Sequence, residues 1–390
     1  MKPLQGLRIL SLEQFAAGPY GSMFLADMGA EVIKIENKNI GGDPSRRTGP
    51  YQLGPEDSLY FQGWNTNKGS VTLDLKLADD RVRFEQLVAG ADAVVNNLRG
   101  DLPASLKLDY ASLKHLKPDL VCLHISAYGR DNERAAWPGY DFLMQAEAGL
   151  MDLTGDPNGP PARCGASVID YMTGITGMLG LLGALRRAKE TGQGCDVDTC
   201  LFDVALHQLG YAGTWYINEG HVSTRQPRSA HLSVAPVQTY PTADGWVYIM
   251  CMTDKFWQSL LQALARADLL TDERFATQGA RVRNRDALTA VLDVEFRKHS
   301  TAHWLATLNG VLPIAPVFDL RHALDNPFVA ATGMISHVPH PLKPDMKLLA
   351  SPLKFDGVRP VQVMCRPLGA DNALLAANPA AAQPRARLLS

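Results

Sequence analysis

Short apolar runs alternate with longer amphipathic stretches from the start of this chain. Leu7–Leu12 (LRILSL) and Glu31–Glu36 (EVIKIE) read as strands. Between them, Ala17–Met28 carries Gly18 and Pro19 at its head and reads as a helix. The order repeats as strand Val71–Leu75, helix Asp79–Ala89, strand Ala93–Asn97, helix Tyr110–Leu116 and strand Leu120–Ser126. Alternation of this kind predicts an α/β fold with a parallel sheet covered by helices.

Met172–Arg187 is rich in Gly, Leu and Met and gains charge only at its end, so it predicts a buried helix with Asp170 just before it. A turn at Glu190–Gly194, a strand at Cys195–Thr199 and one long helix at Leu201–Glu219 follow. Pro227–Pro241 then breaks the pattern. From about Thr239 the texture changes to a strand at Gly245–Met252 and amphipathic helices at Lys255–Arg266, Asp286–Arg297 and Thr301–Asn309, as in a smaller α/β domain. Beyond Pro313–Pro316 the chain turns irregular, and from Ala373 it is an Ala/Pro-biased tail expected to extend loosely over the surface.

Composition narrows the partners. With 390 residues, 46% of them hydrophobic, the chain has ample apolar surface for a core. A net charge of -2 supplies no basic excess for nucleic acid or an anionic membrane, so the expected partner is a small molecule. No run reaches the roughly 18 apolar residues of a membrane span. The six cysteines form no CxxC pair and have no histidine companions at zinc spacing, so no metal site is expected and the compartment reads as reducing and cytoplasmic.

Catalytic motifs are sparse. Ala16–Gly21 (AAGPYG) and Glu36 satisfy half of a dinucleotide fingerprint, but the glycine spacing is wrong. No GxSxG elbow or Walker lysine loop appears. His124, His207 and His231 are scattered, and Cys164 and Cys200 sit among small or apolar residues where inert thiols are the rule. Asp170, taken alone, reads as a helix cap.

Longer segments carry more. LRILSLEQFAAGPYGSMFLADMGAEVIKIE, GGDPSRR, NTNKGSVTLDLK, VVNNLRG, WPGYDFLMQAEAGLMDLTG, SVIDYMTG and TGQGCDVDTCLFD follow in order from about Leu4 to Asp203, with weaker similarity to about Leu368. Together they resemble the family III coenzyme A transferases and the related α-methylacyl-CoA racemases. The resemblance implies a large Rossmann-like domain built from residues 1–224 and 326–390, a small α/β domain inserted at 225–325, and a homodimer of two chains threaded like linked rings.

The resemblance also assigns roles. SVIDYMTG places Asp170 on the family's nucleophile, in a strand-to-helix turn where the helix dipole would keep it ionised and backbone N–H groups would steady oxyanions. Ala16, Arg46, Leu73, Lys76, Asn97, Leu98 and Tyr140 match CoA-binding positions, with Arg46 and Lys76 suited to phosphate oxygens and Asn97 to amide groups. Asn37 and Ser105 stand where formyl-CoA transferases carry arginine, which shifts the expected phosphate contacts toward Lys38 or Arg99. Glu147, Arg228 and His231 are candidates for holding the acceptor.

The implied reaction moves CoA from an acyl-CoA, with succinyl-CoA the expected donor, to a small organic acid through an aspartyl anhydride and an aspartyl-CoA thioester. No tightly bound cofactor is expected, CoA being substrate and product. Residues 219–236 lack the glycine run of the oxalate enzymes, and Ala16 replaces their glutamine. The expected acceptor is therefore a C4 or C5 dicarboxylate, or a sulfur-oxyacid carboxylate such as 3-sulfinopropionate. The alternative is a 2-methylacyl-CoA racemase, against which Tyr140 stands in place of that family's histidine. A non-catalytic acyl-CoA-binding protein comes third.

Overall fold

The computed structural model describes residues 1–376, so the tail predicted from Ala373 lies outside the described residues beyond that point. The chain divides into two compact units. The larger holds residues 1–148, 165–208 and the segment from 328; the smaller holds 149–164 and 209–327.

Six strands build the larger unit's sheet: β1 (Arg8–Leu12), β2 (Glu31–Glu36), β3 (Gly69–Thr72), β4 (Ala93–Asn96), β5 (Val121–Ser126) and β6 (Cys195–Cys200). Their order is β3-β2-β1-β4-β5-β6, and every pairing is parallel. The register sets Ile9 beside Val32 on one side and Ala93 on the other. Ile9, Leu10, Val71, Val94 and Leu123 are fully buried, as continuous apolar strands covered on both faces require. Each such side chain contributes about 1.5–3 kcal/mol of transfer free energy.

Helices return the chain between strands: α1 (Ala17–Asp27), α2 (Leu59–Asn65), α3 (Ala78–Val88) and the single turns α4 (Leu102–Ser105) and α5 (Tyr110–Leu113). After β5 come α6 (Asp141–Glu147) and the 24-residue α7 (Val168–Thr191), then β6 and α8 (Leu201–His207). The strand order reverses direction between β1 and β4. In doubly wound sheets this opens a crevice at the carboxyl ends of those two strands, where ligands bind.

Helix α7 corrects the sequence reading in three ways. It starts four residues before Met172, so Asp170 stands inside its first turn. It is not buried all round, since Met172, Ile175 and Leu179 are 40%, 39% and 72% exposed along one face. By length and composition it is also apolar enough to cross a membrane, which no stretch was expected to be. In the fold it packs on α1, β5 and β6 through small residues. A Cβ on Gly174 would lie 2.5 Å from the Ala17 carbonyl oxygen, and one on Gly21 would lie 2.8 Å from the Gly174 oxygen. Only glycine at both positions lets α7 cross this close to the start of α1.

The smaller unit has its own core. Strands β7 (Val237–Pro241), β8 (Trp246–Met250) and β9 (Ile314–Pro316) pair antiparallel, with Val247 and Ile249 packed among Trp257, Leu260, Leu292 and Phe296. Helices α10 (Asp254–Ala263), α11 (Gln278–Arg283), α12 (Arg285–Phe296) and α13 (Thr301–Leu308) surround that sheet's core. The predicted Leu201–Glu219 helix is two helices, α8 and α9 (Gly210–Glu219), broken where Gly210 takes a φ of 54°. The stretch Pro227–Pro241, expected to break the pattern, contains β7, whose pairing with β8 makes it a strand despite Pro241.

Candidate active site

The loop after β1 is held in a strained form at the switch point. Phe15 has a φ of 58°, a costly conformation for an aromatic residue. Asn97, just past β4, restrains it from both sides. Its Oδ1 accepts from the Gln14 N–H at 2.9 Å and its Nδ2 donates to the Gln14 carbonyl at 2.7 Å. The Phe15 N–H donates to Asp43 Oδ1 at 3.2 Å. The structure thus ties Asn97 to the loop that leads into Ala16, both ends of its amide being bonded to Gln14.

Beneath this loop lies a cluster of buried ion pairs that sequence reasoning missed. Lys68 meets Glu13 at 2.8 Å, Lys34 meets Asp43 at 2.9 Å and Arg46 meets Glu36 at 2.7 Å, and these side chains are all at most 1% exposed. Arg46 is therefore corrected from a phosphate ligand to a structural cation. Its Nε and Nη2 grip both oxygens of Glu36, and its Nη1 donates to the Glu56 carbonyl. Burial pushes Glu36 up, but the Arg46 hydrogen bonds and charge outweigh it and hold the carboxyl below its ordinary value. Asp43 is lowered by Lys34 against burial in the same way.

Asp170 is built differently. α7 has no side-chain cap of its own at Ser167. Its exposed N–H groups are met instead by Asp141, the first residue of α6, which is 3% exposed. Asp141 Oδ2 accepts from the Ile169 N–H at 2.6 Å and the Asp170 N–H at 2.9 Å, and its Oδ1 accepts from Gln145 Nε2 at 2.5 Å. Tyr20, Trp64 and Tyr171 form an aromatic cluster on the same side, Tyr20 and Tyr171 being 4.6 Å apart. Burial and then the Asp141 charge push the Asp170 carboxyl up to about 7. The helix N-terminus therefore does not hold it below its ordinary value. The Ile169 and Asp170 N–H groups at this helix end are already taken by Asp141.

The other candidates divide. Tyr140, next to Asp141 in the chain, is 61% exposed and sets its ring edge on Phe15, with centroids 6.2 Å apart. Leu98 is half-buried, and Leu73 is buried just past β3. Lys76 is exposed on the loop after β3, which Asp74 ties to Asn39 on the loop after β2 at 2.9 Å. Lys38 is exposed on that second loop. Arg99 pairs with Asp101 at 3.0 Å, and Ser105 bonds the Leu102 carbonyl.

Glu147 is engaged by Arg134 at 2.5 Å and by the Tyr128 hydroxyl at 2.7 Å, and these bonds hold it below its ordinary value. In the smaller unit, Arg228 forks onto both oxygens of Asp293 at 2.5 and 2.7 Å. His231 stacks on Tyr211, accepts from the Ser233 N–H, and is pushed down by burial and Arg285. None of these three is held ready for an acceptor in the way the sequence reading expects.

A doubly wound parallel sheet with a half-buried, desolvated carboxylate and a strained loop at its switch end defines the class as an α/β enzyme. The chain belongs to CoA-transferase family III, which it matches over residues 4–372. It is 33% identical over 338 residues to the succinate--glutarate CoA-transferase of Agrobacterium fabrum, covering 85% of this chain and 84% of that protein. It is 33% identical over 368 residues to the succinyl-CoA:mesaconate CoA-transferase of Haloarcula marismortui, covering 92% of each. A solved CaiB/BaiF family protein from Brucella suis superposes with a TM-score of 0.83 at 32% identity, over 97% of this chain and 99% of its own. The protein is thus a CoA-transferase whose substrates are CoA thioesters and carboxylic acids.

Proposed function

We propose that Asp170 is the nucleophile that moves CoA from succinyl-CoA to a C4 or C5 dicarboxylate. The observation that carries this reading is its place: the first turn of α7, beside the switch point, in a family III chain. The ionised carboxylate attacks the thioester carbonyl carbon, the C–S bond breaks and CoA leaves as thiolate. The thiolate then attacks Cγ of Asp170, releasing the donor acid and leaving an aspartyl-CoA thioester, and the acceptor reverses both steps. The aromatic cluster of Tyr20, Trp64 and Tyr171 keeps water from the anhydride.

For the CoA moiety, Lys38 and Lys76 replace Arg46 as the phosphate contacts, with Ala16 and Leu98 along the pantetheine. Succinyl-CoA in the names of the mesaconate and glutarate relatives supports the donor. Tyr140, in the racemases' histidine position, sets proton exchange below transfer. The homodimer remains part of the reading, and the exposed apolar face of α7 suits burial against a second chain. The experiment is a panel of carboxylic acids, including glutarate, mesaconate, oxalate and 3-sulfinopropionate, incubated with succinyl-CoA while new CoA thioesters are measured. A C4 or C5 dicarboxylate is expected to give the highest kcat/KM. Oxalate ahead of all of them, or no thioester from any acid, overturns the reading.

A further inference from the structure

The geometry points to Asp141 as a positioning residue whose fixed negative charge destabilises the free Asp170 carboxylate relative to its acylated forms. This rests on Asp170 being the nucleophile. Asp141 does two things at once. By accepting the Ile169 and Asp170 N–H groups it fixes the first turn of α7, and with it the Asp170 backbone. By occupying those donors it also denies Asp170 the helix-end hydrogen bonds that steady a carboxylate in this position.

The charge inventory around Asp170 supports the second role. Among the described residues, the titratable groups that interact with it are Asp141 from α6, Tyr60 from α2 and Tyr171 on its own helix, with Tyr20 from α1 packed against Tyr171. The phenols are neutral near pH 7: burial raises Tyr20 and Tyr60, and burial followed by the Tyr60 interaction pushes Tyr171 up to about 12. Among the described residues no cation contributes to the shift at Asp170, whereas each carboxylate of the nearby buried cluster has one within 3 Å. Asp141 is the like charge that burial leaves facing the nucleophile.

The chemical use follows from charge balance. When Asp170 bonds the thioester carbon, its negative charge leaves with the CoA thiolate, and the anhydride at that oxygen is neutral. The aspartyl-CoA thioester is neutral there too. Repulsion from Asp141 is thus relieved on acylation and restored when the product departs. An ordinary carboxylate is a far weaker base than a thiolate, so anhydride formation runs uphill. Raising the basicity of Asp170 narrows that gap, and each unit shifts the acylation equilibrium about tenfold.

The test uses the full chain and three variants of one position. Asp141→Asn retains an acceptor for the α7 N–H groups without the charge, and Asp141→Glu retains the charge. Two quantities are read: the acid limb of kcat/KM against pH, and the fraction of protein acylated at fixed succinyl-CoA, by intact mass. In Asp141→Asn the limb is expected to move about one unit toward acid, and the acylated fraction to fall about tenfold. In Asp141→Glu both stay near the parent. Asp141→Ser, also a good neutral cap, replaces the Asn variant if circular dichroism shows the latter unfolded. A limb and acylated fraction unchanged in the folded neutral variant, or moved equally in Asp141→Glu, overturn the inference. If the parent acylates at a residue other than Asp170, it is the nucleophile assignment that fails.

Discussion

Two sets of desolvated carboxylates in the larger unit are treated in opposite ways. Glu13, Asp43 and Glu36 each face a cation, Lys68, Lys34 and Arg46. Asp141 accepts the Asp170 N–H and, after burial, raises the Asp170 carboxyl, with no cation contributing among the described residues. Glu36 and Asp43 end below their ordinary values despite burial, and Asp170 ends well above. The paired cluster is architecture: it fixes the loops at the ends of β1 and β2. The unpaired couple stores repulsion where chemistry can release it.

Substitutions on each side of this contrast have separable consequences. The largest is expected for Asp170→Ala, which removes the covalent route and should cut turnover by about 10⁴-fold, roughly 5.5 kcal/mol, with the fold intact by circular dichroism. Next is Arg46→Met. It strands a buried Glu36 charge and should destabilise the protein by about 3–5 kcal/mol in urea titrations at pH 7. If CoA affinity falls instead while stability holds, Arg46 is a ligand and the paired cluster has been misread.

The two regions should also oppose each other in pH dependence. Asp170 moves from 3.8 to about 7 on folding. Between those values the native state holds a proton that the unfolded chain has released, so this group's contribution to stability is fully present below about pH 4 and is lost as pH rises to about 7. The loss amounts to about 4 kcal/mol at about 1.36 kcal/mol per unit. Asp170→Asn removes it, and after the cost of burying an amide the variant should be about 2 kcal/mol more stable at pH 8 and no more stable at pH 4. Glu36 and Asp43, being depressed, contribute stability above the ordinary carboxylate range that disappears as pH falls below it. The smallest effect belongs to a cation in neither region. Lys76→Ala should raise the KM for succinyl-CoA about fivefold, near 1 kcal/mol, with kcat unchanged.

The parallel sheet was legible because its strands are apolar runs separated by helix-period stretches; β1, β2, β4 and β5 fall within a residue or so of their predicted bounds. The start of α7 was not. Ser167 is a favoured N-cap type, but its side chain makes no cap here: the carboxylate that caps this helix comes from Asp141, 28 and 29 residues earlier than the N–H groups it accepts. The charged cluster was illegible for a related reason: its members sit at positions 13, 34, 36, 43, 46 and 68, and an isolated Arg or Lys reads as surface until its partner is placed. The motif singles out Asp170 as a candidate, but its desolvated surroundings and the neighbouring Asp141 charge have no trace in the sequence. Asp141 follows Tyr140 in the GYD segment, where nothing local marks it as the cap of a helix that starts at Val168.

The most direct test of the account is to trap the covalent intermediate. The full chain is incubated with succinyl-CoA, treated with borohydride or hydroxylamine, digested, and mapped by mass spectrometry. The account predicts modification confined to Asp170 and absent from Asp170→Ala. Modification at another residue, or transferase activity undiminished in Asp170→Ala, would contradict it.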